Sequence, residues 1–248
     1  MTHPLLQETA HRPYPLPNGA WVMEQTWHDL LFAHAPVDAR RLRALVPAAL
    51  ELDTFDGAAW AAVVPFRMSG IRARGLPILP GASAFAELNL RTYVRHRGVP
   101  GVWFFALEAE NPLAVRVARS LFHLPYHDAR MRCRADGEDV EYSSERTHTG
   151  VPPARVEVRY GPNGPAATSR PGSLEHFLTE RYCLFAANES GRLSRADIHH
   201  APWPLQPAHA AFTLDTLPAA HGLDFPLAPP LLHFARRLDV LIWAPHSV

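Results

Sequence analysis

Glu87–Ala109 reads ELNLRTYVRHRGVPGVWFFALEA, and its first ten residues alternate with the period of a β-strand. Leu88, Leu90 and Val94 fall on one side, while Glu87, Asn89, Arg91, Tyr93 and Arg95 fall on the other. Gly98–Gly101 (GVPG) supplies a turn, and Val102–Ala109 returns as the second arm of a hairpin. Four ionisable groups and an amide on one face of a strand mark either a solvated surface or the lining of a pocket.

The segments on either side of this hairpin are also short and mostly extended. Trp27–Ala35 is patterned as a strand, and Asp38 can cap a helix over Ala39–Leu45 that Pro47 stops. Ala58–Met68 (AAWAAVVPFRM) is apolar enough for a buried strand, with Pro65 forcing a bulge or an edge. Asn111 caps a second helix that opens on Pro112, runs to Leu121 and is ended by Pro125. Further strands are predicted at Arg130–Arg134, Val140–His148, Val156–Tyr160, Tyr182–Ala187, Arg192–His199 and His233–Trp243. A short helix from Ser173 to about Arg181 lies between two of these. Many short strands, few helices and 25 prolines predict a β-rich α+β fold. In it, antiparallel sheets close into a barrel or cone with peripheral helices. The Pro-rich first twenty residues read as an extended arm, and residues 21–248 as one domain.

Composition narrows the function classes. All 24 residues counted as Lys+Arg are arginine, and they balance 24 Asp+Glu, so no general attraction to nucleic acid or anionic membrane is expected. The N-terminal stretch lacks the charged and apolar regions of a signal peptide. No apolar run reaches the ~18–20 residues of a membrane span, so a cytoplasmic protein is expected. Cys133 and Cys183 match no metal-ligand spacing and read as buried free thiols or, alternatively, as a disulfide. Metal binding is not expected. His123 and His127 are separated by Pro125, His199 and His200 point to opposite faces of a strand, and no HExxH occurs. Ser83 lacks the second glycine of a nucleophile elbow. No phosphate loop or dinucleotide fingerprint is present, so no cofactor is expected. Trp203, in Pro-Trp-Pro, reads as an aromatic plug.

Several segments together resemble the YqjF-like family of uncharacterised bacterial proteins (domain of unknown function 2071). They are Leu50–Met68 (LELDTFDGAAWAAVVPFRM), Gly75–Val94 (GLPILPGASAFAELNLRTYV), Gly101–Phe105 (GVWFF), His199–Ala208 (HHAPWPLQPA) and His233–Trp243 (HFARRLDVLIW). That family is more remotely similar to the acetoacetate-decarboxylase-like superfamily. The resemblance implies a mainly antiparallel barrel or cone around an internal small-molecule pocket. It places the superfamily's catalytic glutamate on Glu87, within Phe85-Ala86-Glu87, and its lysine pair on Tyr126-His127, after Leu124-Pro125. The superfamily's active-site arginine falls near His28.

The chain departs from that pattern in having no lysine, and arginine cannot replace it as an amine nucleophile. The lysine Schiff-base route to decarboxylation is therefore closed, unless the α-amine of Met1 reaches the pocket. What remains is Glu87 as general acid or base, Tyr126 or His127 as proton donors or carbonyl polarisers, Arg91 as a fork for a substrate carboxylate, and His28 as an acid, base or anion binder. The same residues also admit plainer readings: a Glu87–Arg91 ion pair, a turn tyrosine, a helix-end histidine, and ordinary packing for His28. Two functions follow. One is a non-Schiff-base lyase, isomerase or hydrolase acting on a small oxo or hydroxy carboxylic acid. The other is a non-catalytic binding or sensor protein for a small organic acid.

Overall fold

The computed structural model describes residues 3–78 and 83–248. Gly81 and Ala82, which precede Ser83 in the motif read above, and Met1 lie outside them. In chain order the elements are β1 (Met23–Val37), α1 (Ala39–Leu45), β2 (Glu51–Leu52), β3 (Ala59–Ala73), β4 (Phe85–His96) and β5 (Val99–Ala109). Then come α2 (Pro112–Phe122), β6 (Tyr126–Asp136), β7 (Asp139–Arg146), β8 (Arg155–Pro162), α3 (Leu174–Thr179) and β9 (Cys183–Ala187). The chain closes with β10 (Leu193–His199), β11 (Gln206–Asp215), α4 (Leu217–Ala220), β12 (Leu231–Ile242) and β13 (His246–Ser247).

Strand pairing makes one β-rich, ring-like cone with few helices. The ladder β4-β5-β6-β7-β8-β11-β12-β1-β3 returns to β4, a circuit of nine strands. A second circuit of seven, β5-β9-β10-β12-β1-β3-β4, returns to β5 through the β5–β9 and β10–β12 pairings. The two share a wall of β12, β1, β3, β4 and β5. Pairing is antiparallel except where β5 meets β6 and β9. One face of the wall packs Leu31, Val63, Leu88 and Leu90 against Met131, Tyr142, Val158 and Tyr160 of the nine-strand circuit. The opposite face carries Phe32, Ala62, Val64 and Phe66 and meets Trp203, which is buried.

The period-2 alternation of β4 explains why the wall has two distinct faces, and both are buried. Glu87, Asn89, Arg91 and Tyr93 all lie inside, opposite Leu88 and Leu90. Pro65 has no N–H to give a ladder. It sits within β3 where the β1–β3 register slips between the pairs His28↔Arg67 and Ala33↔Val63, and Asp29 takes a left-handed φ of 50° there. β5 approaches β9 so closely that a Cβ on Gly101 would lie 2.7 Å from Cys183 Sγ and 2.9 Å from its carbonyl oxygen.

The expected helix caps form: Asp38 accepts from the Arg41 N–H, and Asn111 from those of Leu113 and Ala114. The sequence reading missed β11, whose His- and Ala-rich stretch carries little strand propensity and is held by its pairing with β8. Residues 3–20 lie against the body. The Leu5 carbonyl accepts from His199 Nε2 at 2.7 Å, and Arg12 donates to the Ile198 carbonyl at 2.7 Å. Cys133 and Cys183 are free thiols.

Candidate functional site

Tyr126 is delivered to Glu87 by the end of α2. His123 caps that helix in the left-handed region at φ 52°, which turns the chain sharply through Leu124 and Pro125. The Leu107 N–H donates to the Pro125 carbonyl, Arg119 donates to the Tyr126 carbonyl, and Tyr126 then pairs in parallel with Leu107. Its side chain turns inward beside Phe66, Phe85 and Ala109. There the Tyr126 hydroxyl donates to Glu87 Oε2 at 2.7 Å. The Tyr142 hydroxyl donates to the Glu87 carbonyl, also at 2.7 Å, which fixes the strand behind the carboxyl group.

Burial sets the chemistry of this pair. Glu87 is 4% exposed, and loss of hydration pushes its carboxyl from the ordinary 4.5 up to about 8, against the opposing pull of the Tyr126 hydrogen bond. Burial first, and the Glu87 charge second, hold the Tyr126 phenol well above its usual value. At neutral pH the pair is therefore a neutral carboxylic acid beside a neutral phenol, and the acid can gain or lose a proton close to pH 8.

Arg91 lies on the same inner face of β4 and is not the ion-pair partner of Glu87. It donates to the Leu178 carbonyl at 3.2 Å, and its guanidinium carbon stands 5.1 Å from the centre of the Phe32 ring. Asn89, between Glu87 and Arg91, is buried with Oδ1 unpartnered among the described residues. The β4 alternation had put Asn89 and Tyr93 on this face, but sequence reasoning gave them no role. His34 was also passed over, although its spacing of two from Phe32 on β1 places it inside as well. It is fully buried, and its Nε2 lies 2.7 Å from the Tyr93 hydroxyl.

Two candidates from the sequence lie elsewhere. His127 follows Tyr126 on a strand, so it points to the opposite face, 3.4 Å from Glu108 Oε1. The buried Arg146 and the half-buried His221 complete that separate cluster, with Arg146 donating to Glu108 Oε1 through Nε at 2.9 Å. His28 is half-buried beside Arg67, with its Nε2 2.7 Å from Ser69 Oγ. The left-handed Asp29 turns the chain between His28 and Phe32, so Phe32 and Trp27 reach the interior and His28 does not. Partial burial and then the Arg67 charge lower its pKa. Among the described residues no group of three His, Cys, Asp or Glu side chains is arranged to hold a metal ion, and no helix is long and apolar enough to cross a membrane.

The family of the chain follows from comparison. The profile of DUF2071, described as "Uncharacterized conserved protein (COG2071)", matches residues 24–239. "Uncharacterized protein YqjF" of Bacillus subtilis (strain 168) is 48% identical over 228 residues, covering 92% of this chain and 93% of the relative. The chain belongs to the DUF2071 family. Among solved structures it is similar to the enduracididine biosynthesis enzyme MppR complexed with pyruvate, at a TM-score of 0.61 and 13% identity over 91% of this chain and 90% of that one. It is also similar to an acetoacetate decarboxylase-like enzyme from Sphingomonas wittichii RW1, at a TM-score of 0.61 and 15% identity over 96% and 98%. At such identities the likeness is one of fold, and it identifies the cone as acetoacetate-decarboxylase-like.

Proposed function

We propose that this member of the DUF2071 family is a small-molecule enzyme that moves a proton next to a carbonyl of a small oxo or hydroxy carboxylic acid, without a Schiff base. The observation that carries the reading is the buried Glu87–Tyr126 hydrogen bond at 2.7 Å, with the acid poised at about pH 8. A general acid or base works best when its pKa lies near the working pH, and desolvation has brought Glu87 there. Glu87 takes or gives the proton. The Tyr126 phenol, released from Glu87 when a carbonyl enters, donates to the carbonyl oxygen and stabilises the negative charge that develops on it. Arg91 holds the substrate carboxylate. That MppR has been seen complexed with pyruvate supports a small oxo acid as ligand. The two free thiols support a reducing, cytoplasmic setting.

The test is turnover across a panel of small oxo and hydroxy acids, followed by mass and by proton exchange with solvent. Glu87→Gln keeps the shape and the acceptor for Tyr126 but cannot shuttle a proton. It should lose turnover while retaining the bound acid. Acids that bind wild-type protein and leave unchanged, with no exchange at the carbon beside the carbonyl, refute the enzyme and leave the binding protein.

A further inference from the structure

Arg91 differs from its arginine neighbours in having no counter-ion. Arg181 and Arg95 share Asp53, at 2.5 Å and 2.7 Å from its two oxygens. Arg91 is only 9% exposed and pairs with no carboxylate among the described residues. It donates to one carbonyl and lies over the Phe32 and Tyr93 rings, while Nε has no partner. A buried charge in such a setting is strongly disfavoured unless an opposite charge comes to it. Glu87 does not supply that charge near neutral pH, because burial keeps it protonated up to about pH 8.

The strand register shows which groups lie beside Arg91. Arg91 on β4 is opposite Ala62 on β3, and Ala62 is in turn opposite His34 on β1. Directly paired residues share a face, so Arg91 and His34 flank Ala62 with their Cα atoms roughly 10 Å apart, two strand spacings. On β3 only the methyl of Ala62 rises between their strands, and the rings of Phe32 and Tyr93 each touch both groups. His34 is 0% exposed and its Nε2 lies 2.7 Å from the fully buried Tyr93 hydroxyl, which we assign as the donor because no other acceptor is in hydrogen-bond reach of it among the described residues. In the neutral ring this puts the proton on Nδ1, which has no partner among the described residues. Burial, Arg91 and then His233 keep that ring neutral.

We infer that Arg91 Nε–H and His34 Nδ1–H form a carboxylate subsite over Ala62, and that this subsite anchors the acid whose other end meets Glu87 and Tyr126. It rests on the reading of this interior as a small-acid site. It adds His34 as a ligand-binding residue and Ala62 as the residue whose small size admits the anion. Both donors are held in place before the anion arrives, His34 by Tyr93 and Arg91 by the Leu178 carbonyl and the Phe32 ring.

The probe is acetate, compared with chloride at constant ionic strength, on the full chain, read as melting temperature. At a hundredfold excess over its Kd, acetate should raise the wild-type melting temperature by about 5–10 °C relative to chloride. His34→Asn places an amide N–H near the position of Nδ1 and should keep most of the shift. His34→Gln keeps only the contact with Tyr93 and should lose it. Ala62→Leu fills the subsite and should lose it too; His34→Gln carries the test alone should that leucine not pack. Glu87→Gln should keep the shift in full, which separates this subsite from the proton chemistry. No shift in wild-type protein overturns the subsite and leaves the role of Glu87 to its own turnover test. A full-sized shift in His34→Gln, or in a folded Ala62→Leu, also overturns it.

Discussion

Replacing Glu87 by Gln should make the protein less sensitive to alkali, and the size of the effect follows from one buried carboxyl. In the unfolded chain Glu87 releases its proton near 4.5; in the native protein it holds it to about 8. Between those values the native state carries one proton more than the unfolded state, so stability falls as pH rises, by about 1.4 kcal/mol per unit. The stabilising effect of the retained proton is fully present below 4.5 and is lost as pH climbs through 8. From pH 5 to pH 9 the loss from this group alone comes to about 4 kcal/mol.

Gln does not titrate, so the wild-type-minus-variant difference isolates Glu87. Other groups that titrate over this range, Asp215 among them with burial raising it to about 7, cancel in that difference. Any fixed cost of the new amide cancels with them. At roughly 2–4 °C per kcal/mol for a chain of this size, the melting-temperature difference should move by about 8–16 °C in the variant's favour across that range. The assay is thermal unfolding of both proteins in matched buffers, checked by urea titration at pH 5 and pH 9. Curves that run parallel within about 2 °C would mean that Glu87 is ionised in the native state. The argument from desolvation would then be wrong.

Two further outcomes follow from neighbouring contacts. Tyr126→Phe removes the one hydrogen bond that lowers the Glu87 pKa, so the alkaline loss should move above pH 8 in the same assay, and turnover should fall. Gly101→Ala would press a methyl against Cys183 Sγ, Phe185 Cε2 and the Cys183 carbonyl, all within 2.9 Å, where β5 and β9 close the seven-strand circuit. It should cost about 1–3 kcal/mol in urea unfolding, and a variant as stable as wild type would show that this pairing can relax.

Much of the architecture was legible because strand alternation is a local signal. The β4 stretch announced its two faces, and Asp38 and Asn111 announced their helices. The burial of the second face was not legible. A row of Glu, Asn, Arg and Tyr looks the same in solvent as inside a ring, and only closure through β5–β9 and β10–β12 buries it. Those pairings join residues distant in sequence and leave no periodic trace. The split of Tyr126 from His127 was legible in principle, since consecutive strand residues face opposite ways. Treating the two as one pair, by likeness to adjacent lysines, obscured it. His28 failed for a similar reason, because one left-handed residue, Asp29, changes which side chains of β1 reach the interior.

The absence of lysine bears on Glu87 as well as on Schiff-base chemistry. A buried ammonium beside a carboxylate lowers its pKa, because opposite charges stabilise each other. A phenol in that position offers one hydrogen bond and no charge. Here that bond lowers the Glu87 pKa but does not overcome the larger effect of burial, and the acid settles at about 8. Where the resemblance would place an amine, a phenol thus supplies no nucleophile and leaves the carboxyl as a group that exchanges protons near physiological pH. Arg91 completes the argument. With the acid neutral and the guanidinium unpaired among the described residues, the positive charge of Arg91 is left uncompensated. The ligand we propose balances this interior with an anion, and the proposed chemistry next to it needs only a proton.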